Sequence, residues 1–211
     1  MNPERRQEAI HDFTAKLRQP DVLPTVVEYV EWRRKLERAR ADGLPDPVTP
    51  ELIPISINLD LTTACNYKCD HCIDWDILNS PQKFDDQDLR DSLARMAAGA
   101  LKSVILIGGG EPTLYPKFVD FVRFLKDLGL KVAVVTNGSR GDKILEIAPF
   151  LTAGDWVRLS LDSGSNETFQ RMHNPSRKTL DLDEICAWIP KIRAANAAID
   201  LGFSFIITWK G

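Results

Sequence analysis

Residues 53–61 read IPISINLDL: Ile53, Ile55, Ile57, Leu59 and Leu61 fall at every second position, with Pro54, Ser56, Asn58 and Asp60 between them. A period of two is the signature of a strand with one buried face. The strand runs into TTACNYKCDHC (residues 62–72), which places Cys65, Cys69 and Cys72, three of the chain's four cysteines, in one polar loop. Downstream, strands and helices alternate. A helix is expected over 85–98, then the buried strand SVILI (103–107). Phe118, Phe121, Val122, Leu125 and Leu128 recur at helical spacing over 117–128, Gly129 ends that helix, and KVAVV (131–135) is the next strand. A short helix over 142–150, the strand WVRLSL (156–161), a helix over 180–195 bent at Pro190 and the strand LGFSFIIT (201–208) complete the series. Such alternation predicts stacked βαβ units and an α/β fold on a parallel sheet, either doubly wound or curled toward a barrel. Right-handed crossovers bring the C-terminal ends of all strands to one rim. TTACNYKCDHC, GGGEP, TNG and SLDS each follow a strand, so the four segments share that rim, where ligands bind in such sheets.

Upstream of the first strand the pattern is helical, over 3–18 and 25–41. In the second helix Val26, Tyr29, Val30 and Leu36 share a face, with Arg33, Arg34, Lys35, Arg38 and Arg40 mostly opposite. Glu31 and Glu37 interrupt this basic run, which reads as a solvated face. DGLPDPVTP (42–50) is a linker signal. The expected organisation is a helical extension and linker over 1–50, and an α/β core over 51–211.

With 211 residues, 44% apolar and 27% charged, the chain has the composition of a globular protein with a substantial core. Its net charge of −3 gives no electrostatic case for nucleic acid or an anionic membrane as partner. The N-terminal segment MNPERRQEAIHDF has no apolar core of a signal peptide, and no apolar run reaches the roughly 18 residues of a membrane span. A cytoplasmic location is expected, where clustered cysteines bind metal or do redox chemistry more often than they form lasting disulfides.

The spacing C-x3-C-x2-C suits three thiolates capping three irons of a cubic [4Fe–4S] cluster, which leaves the fourth iron without a nearby protein ligand. Cys186 falls inside a helix and reads as a small buried hydrophobe. Zinc is the rival, because His71 lies between two of the cysteines and Cys3His is a structural zinc set. Against zinc, His71 and Cys72 are adjacent and no second ligand pair lies downstream. Plain packing of three thiols fits poorly in a loop that contains Asn66, Lys68 and Asp70. At the second strand end, Gly108, Gly109 and Gly110 let backbone approach a ligand closely, and Pro112 fixes the turn. A tight turn is the plainer reading. A phosphate loop is the weaker one, since no Gly-Lys-Ser/Thr follows and Glu111 repels phosphate. Thr136 and Asn137 end the third strand, in a context that is also a common turn. Ser160 and Asp162 share one face of the fourth and suit ribose hydroxyls or an ammonium, although Asp162 equally suits a cap.

CNYKCDHC after one strand and GGGEP after the next resemble the radical S-adenosylmethionine (radical SAM) superfamily, over about residues 53–208. The resemblance implies a partial parallel (β/α) barrel whose Cys65, Cys69 and Cys72 hold a [4Fe–4S] cluster. In that family the open iron chelates the amino and carboxylate groups of S-adenosylmethionine (SAM). One-electron reduction then splits the sulfonium and yields a 5′-deoxyadenosyl radical that abstracts hydrogen from a substrate. Carried over residue by residue, Gly109, Gly110 and Glu111 meet the methionine amino group, and Thr136 and Asn137 lie beside the methionine end. Ser160 and Asp162 contact the cofactor, Arg171 pairs with its carboxylate, and His71 borders adenine. His71 departs from the aromatic residue that often precedes the last cysteine. The resemblance also implies a flavodoxin- or ferredoxin-like reductant protein and a small-molecule or peptide substrate. It identifies neither the substrate nor the net reaction. The alternatives are a zinc-stabilised, non-catalytic binding module and a chain with the fold but without catalysis. Related barrels carry at least a sixth strand, so these residues are expected to be part of a longer polypeptide.

Overall fold

The computed structural model of the protein describes residues 17–20, 22–50 and 53–207. By backbone contacts the chain forms two compact units, Met1–Ile55 and Ser56–Gly211. In the first unit, α1 (Leu23–Ala41) begins with a proline in its first turn and ends with Arg38 and Arg40 in its last, both favoured positions. Arg40 closes the helix end with a two-pronged contact to Asp46 at 3.1 and 2.8 Å. Of the apolar face Val26, Tyr29, Val30 and Leu36, only Leu36 is buried. The other expected helix, 3–18, lies almost wholly outside the described residues.

The second unit carries five parallel strands: β1 (Ser56–Leu59), β2 (Ser103–Leu106), β3 (Lys131–Thr136), β4 (Trp156–Ser160) and β5 (Asp200–Ser204). Their spatial order is β1-β2-β3-β4-β5. A doubly wound sheet needs a reversal of strand order, and none occurs here. With right-handed crossovers, sequential order lays all connecting helices on one side and curls the sheet toward a barrel. The helices are α2 (Asp86–Ala98), α3 (Phe118–Asp127), α4 (Gly141–Ile147), α5 (Asn166–His173), α6 (Leu182–Cys186) and α7 (Trp188–Ala195). Val104, Leu106, Val132, Val134 and Val157 form the buried side of the sheet, packed with the buried face of α3 (Phe118, Phe121, Val122, Leu125) and with Ile144 and Ile147 of α4. The alternate residues, including Asn58, Ile105, Val135 and Arg158, occupy the second face and are less buried.

β1 is shorter than the expected strand, because beyond Leu59 the backbone departs into the cysteine loop. α2 starts where Asp85 accepts the N–H groups of Gln87 (2.8 Å) and Asp88 (3.1 Å). The helix expected over 180–195 is two helices, and the break falls at Ala187 rather than at Pro190. Proline has no N–H to bond the carbonyl four residues earlier, and its ring crowds that carbonyl. For Pro190 that carbonyl belongs to Cys186, where α6 ends, so the proline sits harmlessly in the first turns of α7. α5 is an additional helix, capped by Ser165 and stopped by Asn174 in the left-handed region at φ 42°.

Strand β4 is registered by a buried ion pair. Asp155, fully buried, accepts from Lys126 Nζ at 2.6 Å, from the Val132 N–H at 2.8 Å and from the Thr152 N–H at 2.7 Å. It thereby joins α3, β3 and the turn into β4. Asp155→Ala leaves an ammonium and two amides without their acceptor and is expected to lower stability by about 3–5 kcal/mol. A denaturant midpoint unchanged from the parent protein would contradict this.

Candidate functional site: the cysteine loop and the strand-end rim

The cysteine loop is held by groups that other elements leave unpaired. The last carbonyls of α5 have no intrahelical partner, and two take backbone donors from the loop: Lys68 N to His173 O (3.1 Å) and Asp70 N to Met172 O (3.0 Å). At its other end, Cys65 N donates to Asn79 Oδ1 (3.0 Å) and Asn79 N to Thr63 O (2.7 Å). Tyr67 anchors the loop from inside: it is buried against Leu159, Leu161 and Phe169 and meets Phe169 edge-on at 5.9 Å. Its hydroxyl donates to Asn137 O at 3.3 Å, tying the loop to the end of β3. Burial holds this phenol far above its ordinary pKa, so it stays a neutral donor.

Cys65, Cys69 and Cys72 are free and half-buried. Burial raises the Cys65 thiol, and burial with the neighbouring Cys65 and Cys72 sulfurs pushes Cys69 up to about 12. Three thiols brought together by one short loop are the donor set of a thiolate-bound metal, whose positive charge would favour their ionised form. The Tyr67 N–H points at Cys65 Sγ (3.5 Å), a donor aimed at a sulfur that can accept. The loop chemistry therefore fits a thiolate-bound metal centre.

His173 was not a candidate from sequence. It is buried at the end of α5, and its Nε2 lies 3.0 Å from Leu161 O. A carbonyl can only accept, so Nε2 carries the proton and Nδ1 presents a lone pair to Cys69 Sγ at 3.2 Å. Burial lowers the imidazole pKa and keeps the ring neutral, so the Cys69 thiol is the donor of that bond. His71 lies edge-on to His173 at 5.3 Å, with its Nε2 3.4 Å from Asp162 Oδ2. The ligand atoms of Cys69, His71 and His173 lie within 4.8 Å of one another. A zinc-type donor set thus overlaps the cysteine triplet through Cys69.

The glycine run is pressed against the end of β1 and the cysteine loop. A Cβ on Gly110 lies 2.5 Å from Thr62 O and from Ala64 O, and one on Gly108 (φ +113°) falls 1.8 Å from Asp60 Oδ1. No side chain fits at either position. Glu111 N donates to Ala64 O at 2.8 Å, so β2's end and the loop move as one. The Glu111 carboxylate is itself buried. Its Oε1 accepts from Thr113 N (3.1 Å), Thr113 Oγ1 (2.6 Å) and Thr136 Oγ1 (2.7 Å), while Oε2 accepts from Asn137 N alone (2.7 Å). Burial raises its pKa, opposed by these donors.

The rim residues named from sequence divide into two groups. Cys65, Cys69, Cys72, Glu111, Thr136 and Asn137 belong to one bonded assembly, extended by Asn66, which accepts from Asn137 Nδ2 at 2.9 Å; Gly110 packs against its Thr62 and Ala64 carbonyls, and Gly109 lies beside Asp60 and Ile77. Asp162 (φ 48°) joins it through His71 and also accepts the Ile206 N–H at 2.9 Å, bracing the chain after β5. Ser160 ends β4, on the sheet face opposite the buried Val157 and Leu159. Arg171 stands apart: it is exposed on α5 and makes no ion pair among the described residues. Asn66, Tyr67 and His173 are the residues that sequence reading missed. Phe169 and His173, four apart on the buried face of α5, carry the only local signal. A separate cleft of about 460 Å³ is lined by Asp60, Thr62, Ile77, Lys83, Phe84 and Tyr115, and the cysteines do not line it.

Among curated proteins, an S-adenosylmethionine-dependent nucleotide dehydratase of Selenomonas ruminantium is 30% identical over 156 residues, 72% of this chain and 56% of that protein. Mycofactocin maturase MftC of Mycobacterium tuberculosis is 34% identical over 160 residues, 74% of this chain and 38% of that protein. The chain thus spans about half or less of these relatives. Among solved structures, Streptococcus suis SuiB bound to its precursor peptide SuiA aligns with a TM-score of 0.63 at 15% identity, covering 85% of this chain and 37% of that one. That likeness concerns the fold. The Radical SAM superfamily model matches residues 59–209, well over half of the chain, and with its parallel sheet and strand-end cysteine loop the protein belongs to the radical SAM superfamily.

Proposed function

We propose that the chain forms the SAM-binding half-barrel of a radical SAM enzyme, with Cys65, Cys69 and Cys72 as the protein ligands of a [4Fe–4S] cluster. The observation that carries this reading is the bonded assembly itself: one network runs from the thiol loop through Tyr67 and Asn66 to Asn137, Thr136 and Glu111. When bound, the cluster and SAM supply one chemistry, the reductive cleavage of the sulfonium to a 5′-deoxyadenosyl radical that takes hydrogen from a substrate. The protein's own part is to bind, orient and exclude. Gly109 and Gly110, packed closely against Asp60, Ile77 and the Thr62 and Ala64 carbonyls, hold the backbone after β2 where it would meet the methionine end. Glu111 Oε2, which accepts a single donor, retains acceptor capacity for an ammonium. Asn137 and Ser160 offer further polar contacts at the rim, and the half-buried His71 offers an aromatic face for adenine. Arg171, exposed on its helix, lacks support as the carboxylate partner.

One relative acts on a nucleotide by name and SuiB is bound to a precursor peptide, and a small molecule or peptide is accordingly the proposed substrate class. A flavodoxin- or ferredoxin-like protein is the proposed reductant. No described helix is long and apolar enough to cross a membrane. The test is reductive cleavage: anaerobically reconstituted protein, given SAM and dithionite, is expected to form 5′-deoxyadenosine slowly without substrate. Stoichiometric SAM binding without any 5′-deoxyadenosine would leave a cofactor-binding module and remove the catalytic reading.

A further inference from the structure

On the second face of the sheet, the Nε of Arg158 is buried without a hydrogen-bond partner among the described residues. Strand β4 buries Val157 and Leu159 on the helix side, so Trp156, Arg158 and Ser160 point to the other face. Arg158 lies mid-strand, flanked across the ladder by Val135 of β3 and Gly202 of β5. Neither neighbour can bond a guanidinium. The Arg158 Nε is buried and has no hydrogen-bond partner among the described residues, and the side chain enters no ion pair among them. Trp156, beside it, meets the guanidinium only at 5.9 Å. The carboxylates on or near this face are Asp60 beyond β1, Asp162 beyond β4, which meets His71 and His173, and Asp200 at the start of β5, and none of them pairs with Arg158 among the described residues. Beside Arg158 on β5, a Cβ added to Gly202 meets nothing within 4 Å, so that position of the face is open among the described residues.

Ile105, Ala133 and Val135 on this face are apolar and Asn58 and Ser160 are neutral, so none of them offers the half-buried arginine a counter-charge. Arginine presents a rigid fork of donors matched to planar and tetrahedral oxyanions. We propose that Arg158 is the anchor for an oxyanion group, carboxylate or phosphate, of the substrate, bound on the open face of the sheet beneath the SAM rim. The inference rests on the SAM reading of that rim. It distinguishes substrate from cofactor by position: Ser160 ends the strand, and Arg158 lies two residues, about 7 Å, further into the sheet. The Gly202 gap then admits the anionic end of the substrate, while its reacting end faces the rim.

Citrate and inorganic tripolyphosphate serve as carboxylate and phosphate probes, titrated calorimetrically into reconstituted, SAM-saturated protein. One of the two is expected to bind the parent protein. Arg158→Met, which keeps the apolar stem, should weaken that binding at least roughly tenfold, and Arg158→Lys should recover part of it. SAM affinity should stay within about twofold in both variants, and matched thermal midpoints exclude misfolding as the cause. Whichever probe binds identifies the substrate's anionic group as carboxylate or phosphate. Anion binding that survives in Arg158→Met, or no binding of either probe to the parent protein, overturns the assignment. A parallel loss of SAM affinity does so too, by making Arg158 a cofactor contact. Failure of the parent protein to bind SAM at all is a different result: it counts against the proposed function itself.

Discussion

Alanine at Cys65, Cys69 or Cys72 is expected to give protein that takes up no stable iron–sulfur cluster on anaerobic reconstitution, whereas Cys186→Ala loads as the parent protein does. The three loop cysteines come from one pinned segment, fixed by α5's terminal carbonyls at one end and by Asn79 at the other. A cluster with only three protein ligands has none to spare, so loss of one removes a third of its anchorage and exposes a second iron. Cys186 ends α6 and packs against the apolar group that includes Leu161, Phe169 and Ile185, at the rear of the same core. Its thiol belongs to packing, and a small residue replaces it at a modest loss. Iron and sulfide retained at parental levels in Cys69→Ala would contradict this assignment, as would their loss in Cys186→Ala.

The second large effect concerns Glu111. Alanine there removes a buried acceptor that four donors share. The hydroxyls of Thr113 and Thr136 can turn to other acceptors, but the Thr113 and Asn137 amides cannot move without the backbone. Two orphaned buried N–H groups at about 1–3 kcal/mol each give an expected loss of roughly 2–6 kcal/mol. Glu111→Gln keeps the volume but substitutes an amide, one end of which is a donor. Whichever way it turns, a donor faces either Asn137 N or the Thr113–Thr136 group. If Glu111 also takes the SAM ammonium, the same change weakens SAM binding by roughly ten- to a hundredfold. Unaltered SAM affinity in a folded Glu111→Gln protein would restrict this residue to bracing the β2, β3 and cysteine-loop ends.

What was legible in the sequence was local. Strand periods of two, helix faces at 3.6 and the strand-end motifs depend on residues close in sequence, and the five strands and the rim were read from them. The glycine run reads as backbone that approaches a ligand, with a tight turn as the plainer reading; the close approach in the structure is that of Gly110 to the chain's own Thr62 and Ala64 carbonyls. What escaped depends on distance in sequence or on competition between rules. His173 meets Cys69 across 104 residues, and no spacing links them. The Asp155–Lys126 pair joins a turn to a helix end, where either residue alone reads as a solvated charge. Pro190 was correctly a disturbance, but its effect lands one turn upstream, at the carbonyl it displaces. The choice between a doubly wound sheet and a barrel turned on strand order, which local pattern does not encode. Arg158 was visible as the charged residue of WVRLSL, yet only its buried Nε, without a hydrogen-bond partner among the described residues, gives it meaning.

The central claim is that this cysteine loop holds an iron–sulfur cluster with one iron left open for SAM. Its most direct test is the electron paramagnetic resonance spectrum of the dithionite-reduced, reconstituted protein, recorded with and without SAM. A single reduced [4Fe–4S] signal whose g-values shift on SAM addition is the predicted result. A signal indifferent to SAM would contradict the claim, and so would native protein that contains stoichiometric zinc at Cys69, His71 and His173 without sulfide.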